Sequence, residues 1–142
     1  MKKKLYLFVC LFLTVMFSAS AFPSNEDDAC SKISGTWLGK AEIKFFLFTC
    51  TYDSVAEISS SSNVAPNTAA VTFNKASGVF LCPKNGSHNV DVSCTNGRVV
   101  MKDSKIDVAG YLNDDGNAAT LEGNMYMLFR YHPFKLFVAK NS

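Results

Sequence analysis

From Gly35 onward the chain alternates apolar and polar residues with a period of two. Trp37, Ala41, Ile43, Phe45 and Leu47 share one phase with Gly39, and Lys40, Glu42 and Lys44 share the other. Such alternation predicts a half-buried strand. It fails at Phe45-Phe46-Leu47-Phe48, where both phases are apolar. Val55 to Ile58 continues a second strand, and Ser59 to Asn67 reads as a polar loop with Pro66 near its end. Val71-Thr72-Phe73 begins the next strand, with a turn at Asn74–Gly78, a short apolar strand over Val79–Cys82 and a turn signal at Pro83-Lys84-Asn85-Gly86. Val90 and Val92 alternate with polar residues. Asn96-Gly97 is a strong hairpin signal, because both central residues of a type I′ turn need positive φ. Arg98 to Met101 returns, and Ile106, Val108 and Leu112 form another alternating run before the turn at Asn113–Asn117. Thr120–Tyr131 and Phe134–Val138 are the last strands, divided near His132-Pro133.

This rhythm predicts an all-β domain, an antiparallel meander of about eight or nine strands forming a small barrel, with a β-sandwich as the alternative. The domain spans 35–142, preceded by an irregular acidic segment over 22–34 in which a helical turn around Asp27–Ile33 is the main candidate for helix.

The first residues change the picture. Lys2, Lys3 and Lys4 precede an apolar run from Leu5 to Phe17, and Ser18-Ala19-Ser20-Ala21 places small residues at the positions a signal peptidase reads. That is the layout of a secretory signal over 1–21, cleaved near Ala21. The run is shorter than the roughly 20 residues of a permanent span. Cys10 lies inside it, too early to be a lipidation site. The lysine-rich signal suits a Gram-negative bacterium, with the product in the periplasm or secreted. Without the three signal lysines, eleven Lys and Arg face twelve Asp and Glu, a formal charge of about −1. No basic pattern points to nucleic acid.

Four cysteines remain, Cys30, Cys50, Cys82 and Cys94, and an even number in an exported chain predicts two disulfides. Three pairings are open. The shortest closure favours Cys82 with Cys94, leaving Cys30 with Cys50. A zinc site is disfavoured because no Cys-x-x-Cys pair exists.

Ser34-Gly35-Thr36-Trp37-Leu38-Gly39 resembles the Gly-x-Trp opening of lipocalins and of smaller bacterial lipocalin-like barrels. The stretches Ile106–Gly110, Leu112–Gly116 and Leu121-Glu122-Gly123 resemble late hairpins of such exported barrels. The resemblance implies that Trp37 closes one end of an up-and-down barrel, with Arg130 as the arginine that packs over the indole. The Thr-Asp-Tyr motif of lipocalins and their helix after the barrel are absent.

Catalytic chemistry has little to stand on. His88 and His132 read as solvent-facing loop residues, with Asp91 the carboxylate near His88 in sequence. No Gly-x-Ser-x-Gly elbow exists. Asn113, Asp115 and Asn117 alternate like calcium ligands, but without the glycine and glutamate positions of an EF-hand, so a plain turn is expected. Asn85-Gly86-Ser87 is a glycosylation sequon, which matters only in a eukaryotic secretory route. No catalytic residue, metal or cofactor is implied. The informative feature is a surplus of aromatic residues in the first and last strands, which neighbour each other in a closed meander. The expectation is therefore a non-enzymatic binding protein that takes a small apolar ligand in or at the barrel. Its contact residues are Trp37, Phe46, Phe48, Tyr126, Phe129, Arg130 and Phe137. The alternative is a secreted protein-interaction factor, an inhibitor or virulence-type effector. It would meet a protein partner, or a second copy in a homodimer, through this patch or through loops 59–68 and 83–89. No integral membrane span is expected.

Overall fold

The computed structural model describes residues 28–59 and 67–142. The expected signal segment and residues 60–66 of the serine-rich loop lie outside them. A short helix, α1 (Asp28–Ser31), sits where the helical turn was expected and leads into eight strands. These are β1 (Gly35–Lys44), β2 (Thr49–Ser59), β3 (Asn67–Ser77), β4 (Asn85–Thr95), β5 (Arg98–Lys102), β6 (Ile106–Leu112), β7 (Ala118–Met127) and β8 (Arg130–Lys140). Each pairs antiparallel with the next, and β8 pairs back onto β1 to close a barrel. The closing pair runs from Trp37 opposite Lys140 to Ile43 opposite Phe134. It depends on Gly39, where a Cβ would lie 1.7 Å from the carbonyl oxygen of Phe137. No larger residue admits that approach of backbones.

The period-two phase of each strand decides what lies inside. Trp37, Ala41 and Ile43 of β1, Val90 and Val92 of β4, and Leu121 and Met125 of β7 are buried. Lys40, Asp53, Glu57, Asp91, Asp107 and Glu122 point outward, a charged wall unlike the apolar band of a membrane barrel. Phe73 packs edge-on to Tyr52 and Phe134, with ring centroids 6.4 and 5.8 Å apart. Beside Trp37 the interior leaves a gap of about 20 Å³, room for about one water and far short of the roughly 300 Å³ or more of a small-ligand pocket. At that end the barrel is a packed core.

The end at which β1 begins is capped by the N-terminal segment. Ile33 is buried, and its carbonyl accepts a 2.7 Å hydrogen bond from the Trp37 indole nitrogen. The Cys30–Cys94 disulfide ties α1 to the end of β4, and the Lys140 ammonium donates to the Lys32 carbonyl. The expected arginine over Trp37 is not there. Trp37 pairs with Lys140 at one end of β8, whereas Arg130 opens that strand at the other end. Ten residues of strand, roughly 33 Å, separate the two. Backbone and aliphatic groups close this end instead.

The disulfides are Cys30–Cys94 and Cys50–Cys82, which corrects the expected Cys30–Cys50 and Cys82–Cys94. Cys82 precedes β4 and Cys94 lies near its far end, so an extended strand of roughly 30 Å holds them apart. Cys30 and Cys50 are likewise at opposite ends of the barrel. Proximity in sequence misleads wherever a strand runs between two cysteines.

Two boundaries also differ from expectation. β3 runs on through Asn74–Ser77, and Val79–Cys82 is a loop rather than a strand. The break between the last strands falls at Leu128-Phe129, while His132-Pro133 lies within β8. Pro133 is tolerated because it precedes the part of β8 that bonds to β1.

Tyr52 is buried, and its hydroxyl has no hydrogen-bond partner among the described residues. Desolvation pushes its pKa above the ordinary value. Leaving a buried hydroxyl unpaired costs roughly 1–3 kcal/mol, so Tyr52→Phe is expected to stabilise the fold by about 1 kcal/mol in urea unfolding. Because the folded-state pKa is raised, the neutral phenol's contribution is complete below the unfolded value of about 10. It is lost as pH rises above that value, where the unfolded chain ionises first. The variant should lack this alkaline loss. Equal alkaline sensitivity in both proteins would contradict the assignment.

Candidate functional site: the apolar-tipped end of the barrel

At the end away from α1, four connections emerge: residues 45–48, 78–84, 103–105 and 128–129. Three of them carry large apolar side chains into solvent.

In the β1–β2 turn the Phe45 amide donates to the Phe48 carbonyl at 2.8 Å. The two rings stack at 4.7 Å, and Phe45 lies 4.2 Å from the His132 ring. His132 is buried, with Nε2 3.0 Å from the Met127 carbonyl oxygen. This inner pair forms a base from which Phe46 (99% exposed) and Leu47 (83%) project. The doubly apolar run thus splits into a half-buried pair and a displayed pair.

The 78–84 loop is held to β2 by Cys50–Cys82. Gly78 has φ +125°, and a Cβ there would meet the Cys82 sulfur at 2.6 Å. The Lys75 ammonium donates to the carbonyls of Val79 and Cys82 at 2.7 and 3.4 Å. So anchored, the loop displays Val79, Phe80 (90% exposed) and Leu81.

The β7–β8 turn is the most telling. Leu128 and Phe129 adopt φ of 52° and 68°, close to the 51° and 73° of the Asn96-Gly97 turn. Asn-Gly suits those angles, whereas for bulky residues such backbone costs on the order of 1–3 kcal/mol each. Phe129 is 93% exposed, so burial does not offset that cost. Tyr126 and Tyr131 flank the tip with rings 5.2 Å apart.

The fourth connection is polar. Asp103 Oδ1 accepts from the Lys105 and Ile106 amides at 2.6 and 2.5 Å, and Oδ2 lies 3.4 Å from His88 Nδ1. Lys44, Lys84, Lys105 and Arg130 are exposed around this end. Of the nearby carboxylates, Asp107 pairs with Lys102 at 3.0 Å, Asp103 faces His88, Glu122 pairs with Lys135, and Glu42 shares a groove with Lys44.

Of the residues expected to make contacts, Phe46, Tyr126, Phe129 and Arg130 meet here, with Phe48 supporting them from behind. Trp37 is buried at the opposite end. Phe137 lies on the outer wall, 39% exposed, with the Lys135 ammonium 5.6 Å from its ring centroid. Leu47, Phe80, Leu81 and Leu128 belong to this end but lie outside the contact set expected from the sequence. Their signal was apolar residues within a turn-bounded or two-faced apolar run. The histidines are not the loop residues expected: His132 supports the β1–β2 turn, and half-buried His88 borders an open notch of about 130 Å³ with Tyr52, Phe73, Pro83, Met125 and Met127. In the 113–117 turn, Asn113 Oδ1 accepts from the backbone amides of Asn117 and Ala118, the work of a turn residue. Among the described residues no three His, Cys, Asp or Glu gather as metal ligands, and no helix is long and apolar enough to cross a membrane.

These features define a closed eight-stranded antiparallel barrel, doubly disulfide-bonded, with one capped end and one apolar-tipped end. No protein-family model and no curated protein sequence matches the chain.

Proposed function

We propose that this is an exported, non-enzymatic binding protein that works through the apolar-tipped end of its barrel rather than through an enclosed ligand. The carrying observation is the Leu128-Phe129 turn, which accepts unfavourable backbone while displaying its side chains. Two disulfides fit a compartment that keeps cystines oxidised, the periplasm or the secreted fraction. Signal cleavage near Ala21 belongs to the same reading. The packed core beside Trp37 favours contact at the rim over a ligand in the interior.

The test is the double variant L128N/F129G. It should raise stability by about 1 kcal/mol in urea, since Asn-Gly suits the turn. It should also weaken the fluorescence enhancement of the apolar probe anilinonaphthalene sulfonate, which the wild type should show while fully folded. A wild type that does not enhance the probe, or a variant that gains no stability and binds probe as before, would sink the reading.

A further inference from the structure

We propose that the partner of this end is an anionic lipid bilayer surface, met end-on; this rests on the reading of the rim as the binding surface. Phe46, Phe80 and Phe129 stand 99, 90 and 93% exposed on three separate connections of one closed barrel. A single apolar pocket on a protein seats one such tip. A flat, yielding surface takes all three at once. Tyr126 and Tyr131 lie one step behind the tips, where amphipathic rings sit at a headgroup boundary.

Charge selects the surface. Lys44, Lys84, Lys105 and Arg130 lie exposed around the tips. Of the carboxylates near them, Asp103, Asp107 and Glu122 are engaged with His88, Lys102 and Lys135, and Glu42 lies in the groove that also holds Lys44 and Lys135. The capped end is mixed instead, with Lys32, Arg98 and Lys140 beside Glu57, Asp114 and Asp115. A chain of near-zero formal charge is thus polarised along its axis. Apolar tips with cations behind them match the layering of acyl chains and anionic headgroups. The charged outer wall keeps the barrel from entering further.

Sedimentation with vesicles tests this. The protein should bind vesicles rich in phosphatidylglycerol and leave vesicles of phosphatidylcholine alone, with binding reduced by salt. The variant F46S/F80S/F129S should lose about a hundredfold in partitioning. Neutralising Lys84 and Lys105 to serine should cost about fivefold per cation. All replaced side chains are exposed, and unchanged Trp37 emission from the far end of the barrel certifies the fold. A tryptophan at the tip, in F129W, should shift to the blue on anionic vesicles only. Equal binding to neutral and anionic vesicles, or no effect of the lysine changes, would overturn the inference. So would probe enhancement without vesicle binding, which leaves the rim as a protein-binding surface. Loss of probe enhancement itself removes the underlying reading.

Discussion

Replacing Cys30 and Cys94 together by serine is expected to lower stability by about 4 kcal/mol. The bridge spans 64 residues of sequence, and restricting the unfolded chain over such a loop accounts for an effect of that size. The Cys50–Cys82 bridge spans 32 residues, and its removal should cost slightly less, about 3.5 kcal/mol. The two losses differ in place. The first frees α1 and uncovers Trp37; the second frees the 78–84 loop and with it Phe80. Urea unfolding of the two double variants, with peptide mapping of the wild type under non-reducing conditions, checks both magnitude and pairing. A Cys82–Cys94 peptide in the map, or a loss below about 1 kcal/mol, would refute the assignment.

Trp37→Ala should cost about 3–5 kcal/mol, the range for truncating a buried aromatic side chain. The indole is 2% exposed. Its removal also leaves the Ile33 carbonyl without the donor it now has. Arg130→Ala, by contrast, should stay within about 0.5 kcal/mol of wild type, as surface changes do. The pair of measurements separates the two views of this barrel. If Arg130 capped the tryptophan, both substitutions would be damaging and their effects non-additive. Thermal unfolding of both single variants and the double decides between them.

How much of this was legible depends on what each residue was read for. Alternation along Trp37–Ile43 predicted β1 correctly, because a strand with one face on a core leaves a period-two mark. Asn96-Gly97 predicted its hairpin because its backbone angles favour those two residues. Leu128-Phe129 occupies the same backbone without the same letters, so the residues alone point to a turn at His132-Pro133. The local rule was broken at the very turn from which Phe129 projects. The Val79–Cys82 run reads as a strand because apolar residues are normally inside. Here Lys75, four residues before Val79, and the Cys50–Cys82 disulfide, which spans 32 residues, hold them outside. The disulfide pairing was hidden for a related reason: it depends on which barrel end each cysteine reaches, and spacing alone does not carry that. Of the rim, Phe46, Tyr126 and Phe129 stand out as an aromatic surplus in the first and last strands, and Arg130 only through the resemblance, which sets it over Trp37 at the other end. Phe80 and Leu81 come from the middle of the chain, and only the ring closure brings them alongside.

Gly39 and the pairing of β1 with β8 carry a consequence for how the protein is made. The first strand waits for the last: about a hundred residues must be synthesised before Gly39 can meet Val138. Contacts so distant in sequence form slowly. Until β8 arrives, β1 and β7 are open edges, able to pair with any strand that comes near. A nascent chain of this topology stays threadable through most of its synthesis and depends on being kept apart from its copies. Once the last strand docks, every edge is removed at a stroke.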